Sequence, residues 1–490
     1  MSTTLAAPRT AVPDLVIGLD QGTSGNTVLV VGRDLQVRSR ASVEFAQHYP
    51  QPGWVEHDPD EIWASVRQAL RLALDGIDPA RLAAIGITNQ RETTFVWDAD
   101  SGQALDRAIV WQDRRTSDWC ASHKALEDDT RRRTGLPIDP YFSASKLAWL
   151  RQRHDSRRLA FGTADTHMLR RLSGQSLTDP GNASRTLLLD LASGAWCDTL
   201  IDRFGVAGTR LPTIVDSSGV CARVHGVPEL PDGLPIAGIA GDQQAALFGQ
   251  GCFDPGQAKI TYGTGSFVLV NTGTQAPQSA HGMLSTIAWR IGGQTHYALE
   301  GGAFVAGALV TWLRDGLGVI AHPDELEALA RSVPDSGGVT LVPAHAGLGA
   351  PHWRPEARGL IHGLTRGTTR AHLARAALEG IAHSQCDILE AMASDLQTPL
   401  TDLRVDGGAA RNDLLLQLQA DLSGLRLKRP RMLETTALGA AMMAGLGVGL
   451  WPNLDALRRA YPLEREFVPQ MDASAQHAAR AHWRSVVARA

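Results

Sequence analysis

The sequence predicts an α/β protein of two related lobes with a cleft between them. Residues 15–20 and 27–31 read as strands around the turn Gly22-Thr23-Ser24-Gly25, and residues 259–262 and 267–270 read as strands around Gly263-Thr264-Gly265-Ser266. The run-up to the second turn, Ile239-Ala-Gly-Asp242 followed by a helix pattern from Gln244, begins the first design again. The order of hairpin strands, helix and further strand after residue 15 is that of a mixed α/β sheet. A turn with little side-chain bulk lets backbone N–H groups and a Thr or Ser hydroxyl reach an anion. One such turn is ordinary hairpin chemistry. Two, one in each half of the chain, point to a nucleoside triphosphate held between the lobes.

The remaining elements follow in order. Residues 35–45 alternate as a further strand. Asp58 and Asp60 precede a helix pattern with Ile62, Trp63, Val66, Leu70 and Leu72 assigned to one face. Residues 82–87, 95–97 and 108–111 read as strands, the first ending in the polar cluster 88–93. Residues 112–235 are rich in helix patterns and charge, and read as an insertion that shapes the cleft. Later come a helix at 302–315, a strand at 339–342, a helix at 370–394, a strand at 403–406 and helices at 412–423 and 435–447. The boundary falls at 250–257, which gives lobes over 14–250 and 257–450 and a helical tail over 451–490.

Composition excludes several classes. The chain has 490 residues, room for about two to four domains, and is 43% hydrophobic and 20% charged, as soluble globular proteins are. A net charge of −4 and a pI near 6.5 give no footprint for nucleic acid or an anionic membrane. Residues 437–451 are too short and too glycine-rich to span a bilayer, and their small side chains suit close helix packing. Residues 1–8 lack the charged start and apolar core of a secretory signal. The cysteines at 120, 197, 221, 252 and 386 form no Cys-x-x-Cys pair, so neither a zinc site nor a disulfide frame is expected, and a reducing cytoplasm is. The Walker A motif is absent, as is a Gly-x-Gly-x-x-Gly fingerprint in dinucleotide context.

The polar residues near the turns have competing local readings. Asp20, where the first strand ends, suits Mg²⁺ held through water, or an Asx turn. Asp242 starts a helix, so it is a cap or a carboxylate that orients a hydroxyl for phosphoryl transfer. Arg91-Glu92 pairs a donor fork with an acceptor, fit for hydroxyl recognition or for an exposed ion pair. Trp111 and Phe267 are walls for a carbon chain or core aromatics. Asn412, after Asp406-Gly-Gly, meets adenine or caps a helix.

Taken together, the segments resemble the FGGY carbohydrate kinases, and among them those that act on glycerol. The resemblance rests on Asp20-Gln-Gly-Thr, Pro52-Gly-Trp-Val-Glu-His-Asp58, Thr88-Asn-Gln-Arg-Glu-Thr-Thr94, Val110-Trp-Gln-Asp-Arg-Arg-Thr116, Ile138-Asp-Pro-Tyr-Phe-Ser143 and Asn182-Ala-Ser-Arg-Thr186. It continues through Gly238-Ile-Ala-Gly-Asp-Gln-Gln-Ala-Ala-Leu-Phe-Gly249, Tyr262-Gly-Thr-Gly265, Gly347-Leu-Gly-Ala-Pro351, Arg404-Val-Asp-Gly-Gly408 and Ala437-Leu-Gly-Ala-Ala. It implies two actin-like, RNase-H-like lobes closing over ATP and glycerol. Arg91, Glu92, Tyr141, Asp242 and Gln243 would hydrogen-bond the hydroxyls, with Asp242 accepting the proton of the attacking one, while Trp111 and Phe267 enclose the carbons. Thr23, Ser24 and Thr264 would hold phosphates, Gly307, Thr311, Gly408 and Asn412 would line the nucleotide, and Asp20 would help position Mg²⁺. A homo-oligomer, dimer or tetramer, is expected.

The chain departs from the family pattern Gly-Thr-Thr-Ser-Ser-Arg at the first turn, where Thr27 replaces the arginine; Arg411 is a candidate substitute. Thr311 stands where relatives often carry glutamine. A kinase for another small polyol or sugar, and a non-catalytic ATP-binding module of the actin and Hsp70 type, are the rival readings. The resemblance also places the inhibitory bisphosphate loop of some relatives at residues 224–233, which here lack the glycine run and the arginine. Titration with fructose 1,6-bisphosphate is therefore expected to leave activity unchanged; clear inhibition at millimolar concentration would refute this.

Overall fold

The computed structural model describes residues 13–154, 158–396, 399–461 and 463–490. The segment 1–8 read above lies outside them.

The first strand, Leu15–Gln21, is buried on both faces, and its alternation sorts the two sides. Leu15, Ile17 and Leu19 join a core with Ile62, Val66 and Leu70 of the helix Pro59–Ala73. Val16 faces the opposite core, which contains Ala437 and Ala441 of the helix Thr435–Gly447. Asp58 caps the 59–73 helix: its side chain accepts from the N–H groups of Asp60 and Glu61, and Pro59 occupies a position that needs no donor. Leu72 is not on the buried face; it is 53% exposed, because it sits two residues, or about 200°, beyond Leu70 on the helix wheel.

Among the described residues, thirteen strands form one sheet. Its two halves share one topology. In the first, Val37–Glu44, Gly25–Gly32 and Leu15–Gln21 make an antiparallel meander, and Leu82–Asn89 and then Pro235–Gly241 continue in parallel. In the second, Gln294–Ala303, Ser266–Gly273 and Gln257–Tyr262 make the meander, and Asp402–Asp406 and then Leu427–Pro430 continue in parallel. Each half adds an edge strand, Ser218–Arg223 and Leu284–Ile291, and the halves join where Ser218 pairs with Ile291.

Some elements differ from the sequence reading. The helix expected at 302–315 is Gly307–Asp315, because Gly302 and Ala303 finish a strand. The hairpin Leu284–Ile291/Gln294–Ala303 has no counterpart in that reading; its strands are buried on both faces along much of their length, so alternation is muted. The strand expected at 108–111 is only Ala108–Ile109. The tail is not wholly helical: Leu463–Phe467 extends the sheet edge beside Leu427–Pro430, between the helices Leu454–Ala460 and Ala473–Val487.

The helices that follow the fifth strand of each half, Asp242–Gly249 and Thr435–Gly447, pack against each other at the middle of the molecule. Here backbone meets backbone. A Cβ on Gly439 would lie 1.9 Å from the carbonyl oxygen of Ala245, and one on Gly249 would lie 2.0 Å from that of Thr435. Helix propensity alone favours Gly439→Ala by about 1 kcal/mol. The clash opposes it, and overpacking costs typically about 1–3 kcal/mol or more. Urea unfolding is therefore expected to show Gly439→Ala to be net destabilised by at least about 1 kcal/mol; an unchanged or more stable variant would show that the helices do not meet this closely.

Candidate active site

The cleft is lined where strands of both halves end. Asp20 stands at the end of the first strand, and its buried Oδ1 has no hydrogen-bond partner among the described residues. Burial, then the neighbouring Asp242 and Glu434, push its carboxyl up to about 8. Asp20 is thus not the Asx-turn anchor that the sequence also allowed. Asp242 is the first residue of its helix, with Gly241 in the cap position. Its Oδ1 accepts from the N–H of Gln243 at 2.7 Å and lies 3.2 Å from Nε of Arg91, with the side chain one-third exposed. Burial raises its carboxyl while Arg91 and Lys259 oppose that rise.

Arg91 and Glu92 are not an exposed ion pair; each side chain is 2% exposed. They follow the parallel strand Leu82–Asn89, and Glu92 adopts a φ of +59°, a left-handed conformation uncommon for its type. Arg91 donates from Nη1 to Glu300 Oε2 at 2.5 Å and from Nη2 to Glu300 Oε1 at 2.9 Å. Arg185 donates from Nε to Glu92 at 2.6 Å and from Nη2 to Glu300 Oε1 at 3.2 Å. Two guanidinium and two carboxylate groups therefore alternate in a buried network. Against the cost of burial, Arg185 and Arg91 hold Glu300 down to about 2, whereas burial prevails at Glu92 and raises it. Arg91 Nη2 also reaches the hydroxyl of Tyr141 at 3.5 Å, and Arg91 Nε is a buried donor with no hydrogen-bond acceptor in good geometry among the described residues.

The sequence reading did not single out Glu300, and it quoted Arg185 without a role. Glu300 lies in the unassigned hairpin; the available signal was a lone carboxylate in the apolar run Tyr297-Ala-Leu-Glu300. Lys259, fully buried in the strand Gln257–Tyr262, has no role in the sequence reading.

The half-buried Trp111 meets Tyr141 edge to face, with ring centroids 5.6 Å apart, and donates from Nε1 to the Thr23 hydroxyl at 3.1 Å. The first Gly-Thr turn and this aromatic pair are thus tied together. Phe267, half-buried, pairs across the sheet with Gly302, near which its ring lies. Ser24 and Thr264 are exposed at the tips of their turns. The second turn is stapled to the Gly307–Asp315 helix: Gly263 and Thr264 carbonyls accept from the N–H groups of Gly307, Ala306 and Ala308. Gly307 is required there, since a Cβ would lie 2.6 Å from the Gly263 carbonyl. Thr311 is exposed one turn further along that helix. Gly408 is exposed, with open space where a side chain would project. Asn412 caps the helix Asp413–Ser423 through Oδ1, which accepts from Leu415 N–H at 2.9 Å. Thr27, where the family arginine is missing, bonds Ser42 on the neighbouring strand at 2.9 Å, and Arg411 is exposed in the turn 408–411.

Removing one charge from the buried network leaves a guanidinium uncompensated, which costs about 3–5 kcal/mol when a buried pair is broken. Glu300→Gln is expected to lose stability on that scale in chemical denaturation. A loss below about 1 kcal/mol, the range of exposed pairs, would contradict the network.

Residues 15–249 match the model of the FGGY family of carbohydrate kinases, N-terminal domain, and residues 258–448 match that of its C-terminal domain. The chain is 54% identical to a glycerol kinase of Aromatoleum aromaticum, covering 97% of this chain and 98% of the relative. It is 51% identical to a glycerol kinase of Myxococcus xanthus, covering 97% and 99%. Among solved structures, the glycerol kinase of Plasmodium falciparum with ADP superposes with a TM-score of 0.92 at 33% identity, covering 98% of each chain. A xylulose kinase of Lactobacillus acidophilus shares the fold, with a TM-score of 0.87 at 22% identity over 97% of this chain and 96% of that one. Two equivalent half-sheets, a cleft between their strand ends and both domain models in sequence order lead to one conclusion: the chain belongs to the FGGY family of carbohydrate kinases.

Proposed function

We propose that the protein transfers the γ-phosphoryl group of ATP to a terminal hydroxyl of glycerol, forming sn-glycerol 3-phosphate. The observation that carries this reading is the pairing of Asp242 with Arg91, 3.2 Å apart at the mouth of a buried charge network. A carboxylate held beside a fixed donor can take a hydroxyl on one side and orient it. In loose phosphoryl transfer the attacking hydroxyl loses its proton late, so orientation counts for more than basicity. Relatives named glycerol kinase at 51–54% identity support the choice of acceptor.

The remaining roles follow from donor and acceptor chemistry. Arg91 Nε and the Tyr141 hydroxyl present donors to the substrate oxygens, Gln243 an amide and Glu92 a carboxylate. Trp111 and Phe267 enclose the carbon chain. Thr23, Ser24 and Thr264, on the facing turns, hold the phosphates, while Gly307, Thr311, Gly408 and Asn412 line the nucleotide. Asp20 fits a divalent cation: its buried Oδ1 is without a partner among the described residues, and burial, then the neighbouring Asp242 and Glu434, raise its carboxyl. Among the described residues no group of three or more metal-ligating side chains exists, which accords with Mg²⁺ held by one carboxylate and nucleotide phosphates. When bound, the cation neutralises charge on the phosphoryl oxygens. Free cysteines accord with a reducing cytoplasm, where we place the enzyme as a homo-oligomer, dimer or tetramer.

A coupled ADP-release assay over glycerol, dihydroxyacetone, erythritol and pentitols tests the reading. The highest kcat/KM is expected for glycerol, and a higher value for a pentitol would overturn it. Asp242→Asn is expected to lose turnover by about 10²–10⁴-fold while still binding ATP; wild-type turnover would remove Asp242 from its role.

A further inference from the structure

Lys259 is the unexplained charge of the cleft. In the strand Gln257–Tyr262, Ala258, Ile260 and Tyr262 enter the core of the second half. Strand alternation therefore turns Lys259 and Thr261 to the other face. Its side chain is fully buried, and it forms no ion pair with a carboxylate among the described residues. Buried ammonium groups are normally paired, because losing hydration without a counter-ion is costly. Here Nζ donates to the Thr261 hydroxyl at 2.8 Å and to Oε1 of Gln243. Asp406, Asp242 and Glu300 lie further off as balancing charges and Arg91 as an opposing one, and burial pulls the ammonium down to about 8.

An ammonium has three donors and no acceptor, so the carboxamide atom beside it must be the oxygen. That settles which way Gln243 points. Its Nε2 is then directed away from Lys259, and it has no hydrogen-bond partner among the described residues. Gln243 follows Asp242 directly at the helix start and is only partly buried.

We propose that Lys259 is a positioning residue for the phosphoryl acceptor: it locks the Gln243 carboxamide so that Nε2 faces the cleft as a donor to a hydroxyl oxygen of the substrate. This rests on the polyol-kinase reading above. Without the ammonium, the carboxamide can rotate and present an acceptor instead. Recognition of the alcohol would weaken, while the nucleotide, held by the turns, would not be affected.

A double-mutant cycle over Lys259→Met and Gln243→Ala, with KM and kcat measured separately for glycerol and ATP, tests this. Loss of one oriented hydrogen bond is expected to raise the KM for glycerol about tenfold or more in Lys259→Met, with the KM for ATP within about twofold. In the Gln243→Ala background, Lys259→Met is expected to add almost nothing, because both changes remove the same donor. Full additivity, or an equal rise in the KM for ATP, would overturn the assignment. If Lys259→Met does not fold, Gln243→Glu decides. It sets a carboxylate beside the ammonium, so its melting temperature should equal or exceed that of the parent, while its KM for glycerol rises about tenfold. A clearly lower melting temperature or an unchanged KM would refute the proposal. A parent protein inactive on glycerol refutes the functional reading itself and this inference with it; an active parent with additive variants refutes this inference alone.

Discussion

The structure depends on two helices touching backbone to backbone. Asp242–Gly249 and Thr435–Gly447 occupy equivalent places in the two halves, each following the fifth strand of its meander-plus-parallel sheet. Their approach requires that nothing larger than hydrogen project from Gly249 and Gly439. Once they meet, both helix N-termini open onto the same cleft. Asp242 begins one, and Thr435, hydrogen-bonded to Asp406, begins the other. The 435–447 helix also lies on the first half-sheet, with Ala437, Ala441 and Ala444 in a core shared with Val16 and Ala237. The last third of the chain thus helps to bury the first strand.

A second tie between the halves is electrostatic. Glu300 comes from the second half; Arg91, Arg185 and Glu92 come from the first. Their alternation lets four ionised groups sit where each alone could not, since every buried charge has an opposite within hydrogen-bond reach. Such networks are poor sources of net stability but strong sources of geometry. The arrangement fixes the stem of Arg91 against Gly241 and leaves Nε turned to Asp242. The geometry around Asp242 is therefore set by the protein itself, and a preorganised arrangement of this kind needs little reorganisation to act on charge.

The two turns at the cleft are held differently. The first is joined through Thr23 to Trp111 and so to Tyr141, whose ring Trp111 meets. The second is joined through its carbonyls to the start of the 307–315 helix. One turn is tied to an aromatic side chain of its own half and the other to a helix N-terminus, although their sequences look alike.

Much of this was legible in the sequence. The Gly-Thr hairpins, the capped helix after Asp58 and the helices at 370–394, 412–423 and 435–447 carry local signals: alternation, a capping aspartate, a 3.6-residue period. Local physics writes those signals, so they can be read without the fold. The site was legible only where motif residues cluster, as at Arg91-Glu92 and Asp242-Gln243. Whether Arg91 and Glu92 were surface charges or a buried pair was undecidable locally, because burial belongs to what packs above them. Glu300, 209 residues from Arg91, and the partner of Lys259 were invisible for the same reason. The sequence by itself determined the strands, the helices, the turns and the kinds of chemistry available. Tertiary structure decided which charges share a low-dielectric space, because that depends on contacts between segments hundreds of residues apart.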